Sequence, residues 1–189
     1  MRESFPSSSF WLRVEICECC YARSFATIAT VTTVGRNSYD GTVMTLELFA
    51  TLAAGLFSGA SIYINLVEHP ARMQCGTAQS LAQWRPSYKR ATVMQAGLAA
   101  VGFLSATAAW MLGAEGLWLI GGILLGLVIP FTLIVILPTN RRLGVPDIAK
   151  ESPDTRRLLD RWARLHAVRS VLSFGSFLVF LFLLSRHSH

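Results

Sequence analysis

The sequence predicts an all-α fold, a membrane four-helix up-down bundle with short interfacial helices. Composition is the first reason: 52% of the 189 residues are hydrophobic and 15% are charged, a balance outside the range of soluble domains. Length is the second, because the apolar residues fall into four runs of about 20, enough to cross a hydrocarbon core about 30 Å thick. The third is where the charge sits. Basic residues crowd the first and third connections, whereas the second carries Glu115 and no basic residue.

Residues 1–43 precede the runs as an N-terminal extension, rich in Ser and Thr, with no stretch long enough to span. It reads either as disordered or as lying upstream of a natural start at Met44. Arg2, Arg13, Arg23 and Arg36 would suit a targeting segment, but Glu3, Glu15, Glu18 and Asp40 are too many acids for a transit peptide. Cys17 and Cys20 make a single C-x-x-C without the second pair that a zinc site needs.

Residues 44–189 form the transmembrane domain, with spans at about 45–67, 91–112, 117–137 and 166–185. The first span carries Gly55 and Gly59, and the third Gly122 and Gly126, spacings that let another helix come close. At 100° per residue, Ser58, Ser61, Asn65, Glu68, His69 and Arg72 fall within an arc of roughly 100°. That stripe must face inward, because a polar group turned to lipid has nothing to bond. Pro70 bends the chain beside His69.

A short interfacial helix is expected over 77–88, with the rings of Trp84 and Tyr88 at headgroup level. Gln95 opens the second span. In the third, Pro130 should kink the helix by leaving the Gly126 carbonyl without its donor. Pro138 ends that span just before Thr139 and Asn140. Ser152-Pro153 marks the start of a helix that should run on into the fourth span. There Trp162, His166, Arg169, Ser173 and Ser176 share an arc of roughly 80°.

By the positive-inside rule the basic loops, 68–90 and 138–165, are cytoplasmic. Alternating helix directions then bring Glu68, His69, Arg72, Gln95, Asn140, His166 and Arg169 to one membrane face. Arg169 lies about one turn inside its span, where an uncompensated charge costs about 2.5 to 3.5 kcal/mol at full depth. Glu68 is its expected partner. In one reading this pair, with Asn65, Gln95 and Asn140, is a clamp fastening the helix ends. In the other, Glu68, His69, His166 and Arg169 ring a pocket walled by Trp84, Tyr88 and Trp162, suited to a flat aromatic ligand.

No metal site is expected, because no helix carries an H-x-x-x-H or E-x-x-H pair. A net charge of +6 held between apolar runs, with no solvated basic patch, argues against nucleic acid. A channel or pump is disfavoured too: no relay of ionisable groups crosses the apolar halves of the spans.

Four pieces of sequence carry a family resemblance: N-L-V-E-H-P-A-R at 65–72, W-R-P-S-Y-K-R-A at 84–91, L-P-T-N-R-R-L at 137–143 and L-L-D-R-W-A-R-L-H-A-V-R-S at 158–170. In this order and spacing, from Met44 to about Ser185, the chain resembles the anthrone oxygenase-like family of small four-helix membrane proteins. For some fungal members the resemblance implies oxidation of an anthrone to an anthraquinone, with molecular oxygen as co-substrate and no obvious cofactor. If that activity carries over, His69 or His166 is the expected base, with Arg169 stabilising the developing oxyanion and Glu68 in the same catalytic group. Asn65, Gln95 and Asn140 would orient the substrate by hydrogen bonds, and Arg72, Trp84, Tyr88 and Trp162 would complete its binding site. The expected partners are the lipid bilayer and a lipophilic aromatic small molecule; the sequence sets no oligomeric state. The alternative is a non-enzymatic membrane protein, a small-molecule binder, transport accessory or assembly factor, with Glu68 and Arg169 as its clamp.

Overall fold

A computed structural model describes residues 40–146 and 148–186. The chain divides between Thr42 and Val43, and the helical bundle belongs to the second unit, Val43–His189. Apart from 40–43, the extension with its cysteines lies outside the described residues, as do His187 and His189.

Four helices make up the described structure: α1, Asp40–Gln74; α2, Thr77–Met111; α3, Gly116–Gly144; and α4, Pro153–Arg186. Each is long and apolar enough to cross a membrane, and no strand occurs among the described residues. This is a multi-pass membrane protein. Its outer surface is apolar, with Val93 76%, Ile134 73% and Val171 71% exposed, as acyl chains require and water would not tolerate on this scale.

The helices overrun the expected spans, and two expectations change with them. The segment 77–88 is not a separate interfacial helix, because α2 runs without a break through Pro86. Nor are 68–90 and 138–165 loops: the first connection is only Cys75 and Gly76, and the third is confined to 145–152. Hydropathy ends where the polar residues begin, but hydrogen bonding and packing carry the helices onward. Gly76 turns α1 into α2 at φ 89°, and Gly113 ends α2 at φ 105°, backbone settings that favour glycine. Ser80 fastens the first turn by donating to the Arg72 carbonyl at 2.6 Å. Arg85 caps the end of α3, donating to the carbonyls of Leu143 at 3.2 Å and Val145 at 2.5 Å. Ser152 caps α4 by accepting from the Thr155 N–H at 3.1 Å, and α4 continues into the fourth span as the sequence predicts.

Two wide π turns interrupt the α-helical winding. Ile64–Glu68 is followed by His69-Pro70, and Thr132–Ile136 by Leu137-Pro138. In both, the residue before the proline donates its N–H five residues back, His69 to Ile64 and Leu137 to Thr132. A proline ring collides with the carbonyl four residues earlier, and a widened turn relieves the collision. The α-helical winding of α3 also breaks at Leu127, between Gly126 and Val128, where Pro130 predicts a kink.

Glycines set the close helix contacts. A Cβ on Gly121 would run into the Phe180 ring of α4, and on Gly122 and Gly126 one would meet Ala106 and Phe103 of α2, each at 3.0 Å. Gly55 faces Phe177 of α4 at 3.0 Å, whereas Gly59 faces open space. The spacing in α3 therefore serves the bundle itself, and in α1 only Gly55 does.

Two apolar clusters form the core. One gathers Phe57, Ala99, Trp118, Leu125, Val128 and Phe180; the other gathers Leu81, Trp84, Ile136, Leu143, Leu159 and Trp162. Along the chain Ser61 on α1, Gln95 on α2, and His166, Arg169 and Ser170 on α4 are buried between them, while Glu47 and Thr51 are buried on α1 next to Ala50 of the first cluster. A polar layer thus lies between the two clusters.

Candidate functional site

The polar layer borders a cavity of about 330 Å³ between α1, α2 and α4. Trp84 and Tyr88 form one wall, stacked with centroids 4.9 Å apart and planes 4° from parallel. Trp162 meets Trp84 edge-on at 5.9 Å. Trp84 is only 1% exposed, so it is a core residue and not the headgroup anchor that the sequence suggests.

His166 lines this cavity, buried, with its ring 4.9 Å from that of Trp162. Its Nδ1 meets the side-chain amide of Asn65 at 2.5 Å, which leaves Nε2 as the ring nitrogen that can meet a ligand. The amide has two settings. With its oxygen towards the imidazole, Oδ1 accepts from Nδ1–H and Nδ2 donates to the Ala163 carbonyl at 3.3 Å. Turned over, Nδ2 donates to Nδ1 and to the Ser61 carbonyl at 3.2 Å, and Oδ1 accepts from the Ala167 N–H at 3.1 Å. The turned setting removes like-to-like contacts and puts the imidazole proton on Nε2; the first leaves Nε2 a bare lone pair. Asn65 therefore decides whether His166 presents a donor or a base.

Arg169 lies one turn further along α4, 8% exposed. It donates through Nη2 to Oε1 of Gln95 at 2.9 Å, sits 5.4 Å over the Phe57 ring, and leaves Nε without a partner. Gln95 in turn donates to Ser61 Oγ at 3.0 Å. The expected partner, Glu68, bonds instead to Arg72 on its own helix. Glu68 lies within the π turn, whose wider winding departs from the 100° step, and Arg72 stands one ordinary turn beyond it. Among the described residues no carboxylate pairs with Arg169.

The remaining expected residues divide. Glu68, Arg72, Trp84, Tyr88, Gln95 and Trp162 line the cavity with His166 and Arg169. His69, Asn65 and Asn140 do not. His69 packs against Trp162 at 5.6 Å with Nδ1 unpartnered, so the two histidines do not share the cavity. Asn65 stands behind His166, and Asn140 is buried with neither amide atom bonded. Ser87, Arg90, Ala91 and Thr92 also line the cavity, and the sequence reading passes over them. A continuous α2 would have revealed Ser87, Ala91 and Gln95 on the face of Trp84 and Tyr88, at steps of three and four.

The chemistry of the lining is one-sided. Three guanidiniums, Arg72, Arg90 and Arg169, stand against the single carboxylate of Glu68, inside apolar aromatic walls. Such a site favours a flat, anionic or readily ionised ligand. Among the described residues no three His, Cys, Asp or Glu side chains converge.

A family model described as anthrone oxygenase matches residues 84–179, a stretch holding the aromatic wall, Gln95, His166 and Arg169. The chain is 29% identical over 142 residues to the anthrone oxygenase tpcL of Aspergillus fumigatus, covering 70% of this chain and 88% of that protein. No solved structure matches.

Proposed function

The chain belongs to the anthrone oxygenase family, and from that premise we propose that it oxygenates a lipophilic anthrone-type aromatic to the quinone in the cavity between Trp84, Trp162, His166 and Arg169. One observation carries this reading. Arg169 is a buried guanidinium whose side-chain partner is the neutral Gln95, set on the same cavity as a histidine. A substrate oxyanion supplies the charge that Arg169 lacks.

The methylene of an anthrone is acidic, because its carbanion delocalises through the rings onto the carbonyl oxygen. His166 takes the proton at Nε2 when the Asn65 amide leaves its turned setting and offers Oδ1 to Nδ1–H, and Arg169 with Gln95 stabilises the oxyanion. The indoles and Tyr88 hold the rings flat. The anion gives one electron to dioxygen, and the resulting radical and superoxide join in a C–O bond. Protonation yields a hydroperoxide. Loss of the second methylene proton then breaks the O–O bond, leaving a carbonyl and releasing water. One oxygen atom enters the product and the other enters water, and the substrate supplies every electron, so no cofactor is required. In the cell the basic helix ends face the cytoplasm, and the substrate reaches the cavity from the bilayer.

The clamp reading loses its pair, because Glu68 bonds to Arg72. The test is conversion of an anthrone by the purified chain under ¹⁸O₂. The expected result is a labelled quinone carbonyl formed well above the autoxidation rate, with His166→Gln and Arg169→Gln each slower by about a hundredfold. Background rates in all three proteins would overturn the proposal.

A further inference from the structure

A second, smaller cavity of about 80 Å³ adjoins the first, lined by Phe57, Ala96, Ala99, Val128, Ile129, Thr132 and Leu133. Thr92, Gln95 and Arg169 belong to the walls of both cavities. Ala96 is exposed and Leu133 is 58% exposed, so on a spanning helix this rim faces acyl chains.

We infer that the second cavity is a dioxygen site fed from the bilayer, an inference that rests on the oxygenase reading. Three features point the same way. An apolar cavity of about 150 Å³ holds a benzene ring; at about 80 Å³ this one is too small for an aromatic substrate and suits a diatomic molecule. Six of its ten lining residues are apolar, apolar walls take up apolar gases, and dioxygen is more soluble in hydrocarbon than in water. Arg169 stands on both walls. When the electron passes from the substrate anion to dioxygen, negative charge moves from the larger cavity to the smaller, and one guanidinium serves both ends of that transfer. The superoxide so formed is consumed by C–O bond formation with the substrate radical, and no other oxidant or reductant enters.

The site separates two Michaelis constants. Ala96→Phe fills the small cavity from its lipid side, while Ile129→Ala widens it. With the full-length purified chain, Ala96→Phe should raise the KM for oxygen by about fivefold or more and leave the KM for the anthrone within about twofold, and Ile129→Ala should not raise the oxygen KM. Ala96→Leu is the smaller plug should the phenylalanine variant fail to fold. Xenon should compete with oxygen in the wild type and lose that effect in the plugged variant. An active wild type whose oxygen dependence is untouched by either plug overturns the inference, as does a plug that raises both constants together. A wild type that consumes no oxygen with any anthrone removes the oxygenase reading, and this inference with it.

Discussion

Arg169 donates to Oε1 of Gln95 at 2.9 Å, and the other end of the same amide donates to Ser61 at 3.0 Å. Gln95 is thereby fixed at both ends and holds the guanidinium without neutralising it. A carboxylate in its place would do both. Gln95→Glu should raise thermal stability, because a buried arginine gains a charged partner, and should lower turnover by about tenfold or more, because the charge meant for the oxyanion is already satisfied. Tm and kcat of the same preparation check it; a variant that is more stable and equally active contradicts it.

Asn65 acts on chemistry through His166. Asn65→Asp accepts from Nδ1–H and fixes Nε2 as the base, so turnover should persist. Asn65→Leu removes the partner, frees the ring to choose its tautomer, and should lower kcat by about ten- to a hundredfold with little change in KM. Equal losses in both variants would reduce Asn65 to a packing role.

Close packing of α3 on α4 depends on Gly121, where Phe180 occupies the space of a side chain. Gly121→Leu should destabilise the bundle by about 1 to 3 kcal/mol through overpacking. Gly59→Leu, with nothing within 4 Å, should be close to neutral. Unfolding midpoints of the two variants in detergent provide the comparison.

Orientation follows from labelling. Cys75 is exposed at the turn between α1 and α2, at the bundle end that carries Arg85, Lys89 and Arg90. With Cys17, Cys19 and Cys20 replaced by Ser, an impermeant maleimide should label Cys75 only from the cytoplasmic side. A cysteine placed by Glu115→Cys should label from the opposite side. The reverse pattern would invert the protein.

Hydropathy alone reveals the four spans, because nothing but a bilayer tolerates apolar runs of this length, and helix alternation gathers the polar ends. The polar layer of Ser61, Gln95, His166 and Arg169 follows from the same periodicity. Partners within it do not. Ideal 100° steps bring Glu68 towards Arg169, but the π turn at Ile64–Glu68 breaks that arithmetic, and the turn arises from Pro70, two residues beyond its end. Trp84 reads as an interfacial anchor because, with Tyr88, it precedes the apolar run that opens near Ala91; α2 is one helix from Thr77 to Met111 and buries the indole. His69 and His166 look equivalent in sequence, yet only His166 lines the cavity, since which face a residue beside a widened turn presents is set by three-dimensional packing.

Proton removal from bound substrate by His166, with Arg169 holding the anion, can be observed before oxygen takes part. The measurement is anaerobic rapid mixing of the purified protein with an anthrone, following the absorbance of the anthrone anion. The wild type should form the bound anion, and His166→Gln and Arg169→Gln should not, while both variants still bind the corresponding anthraquinone with quenching of tryptophan fluorescence. An anion formed equally well by His166→Gln, or by none of the three proteins, would contradict the assignment of this cavity as the site of reaction.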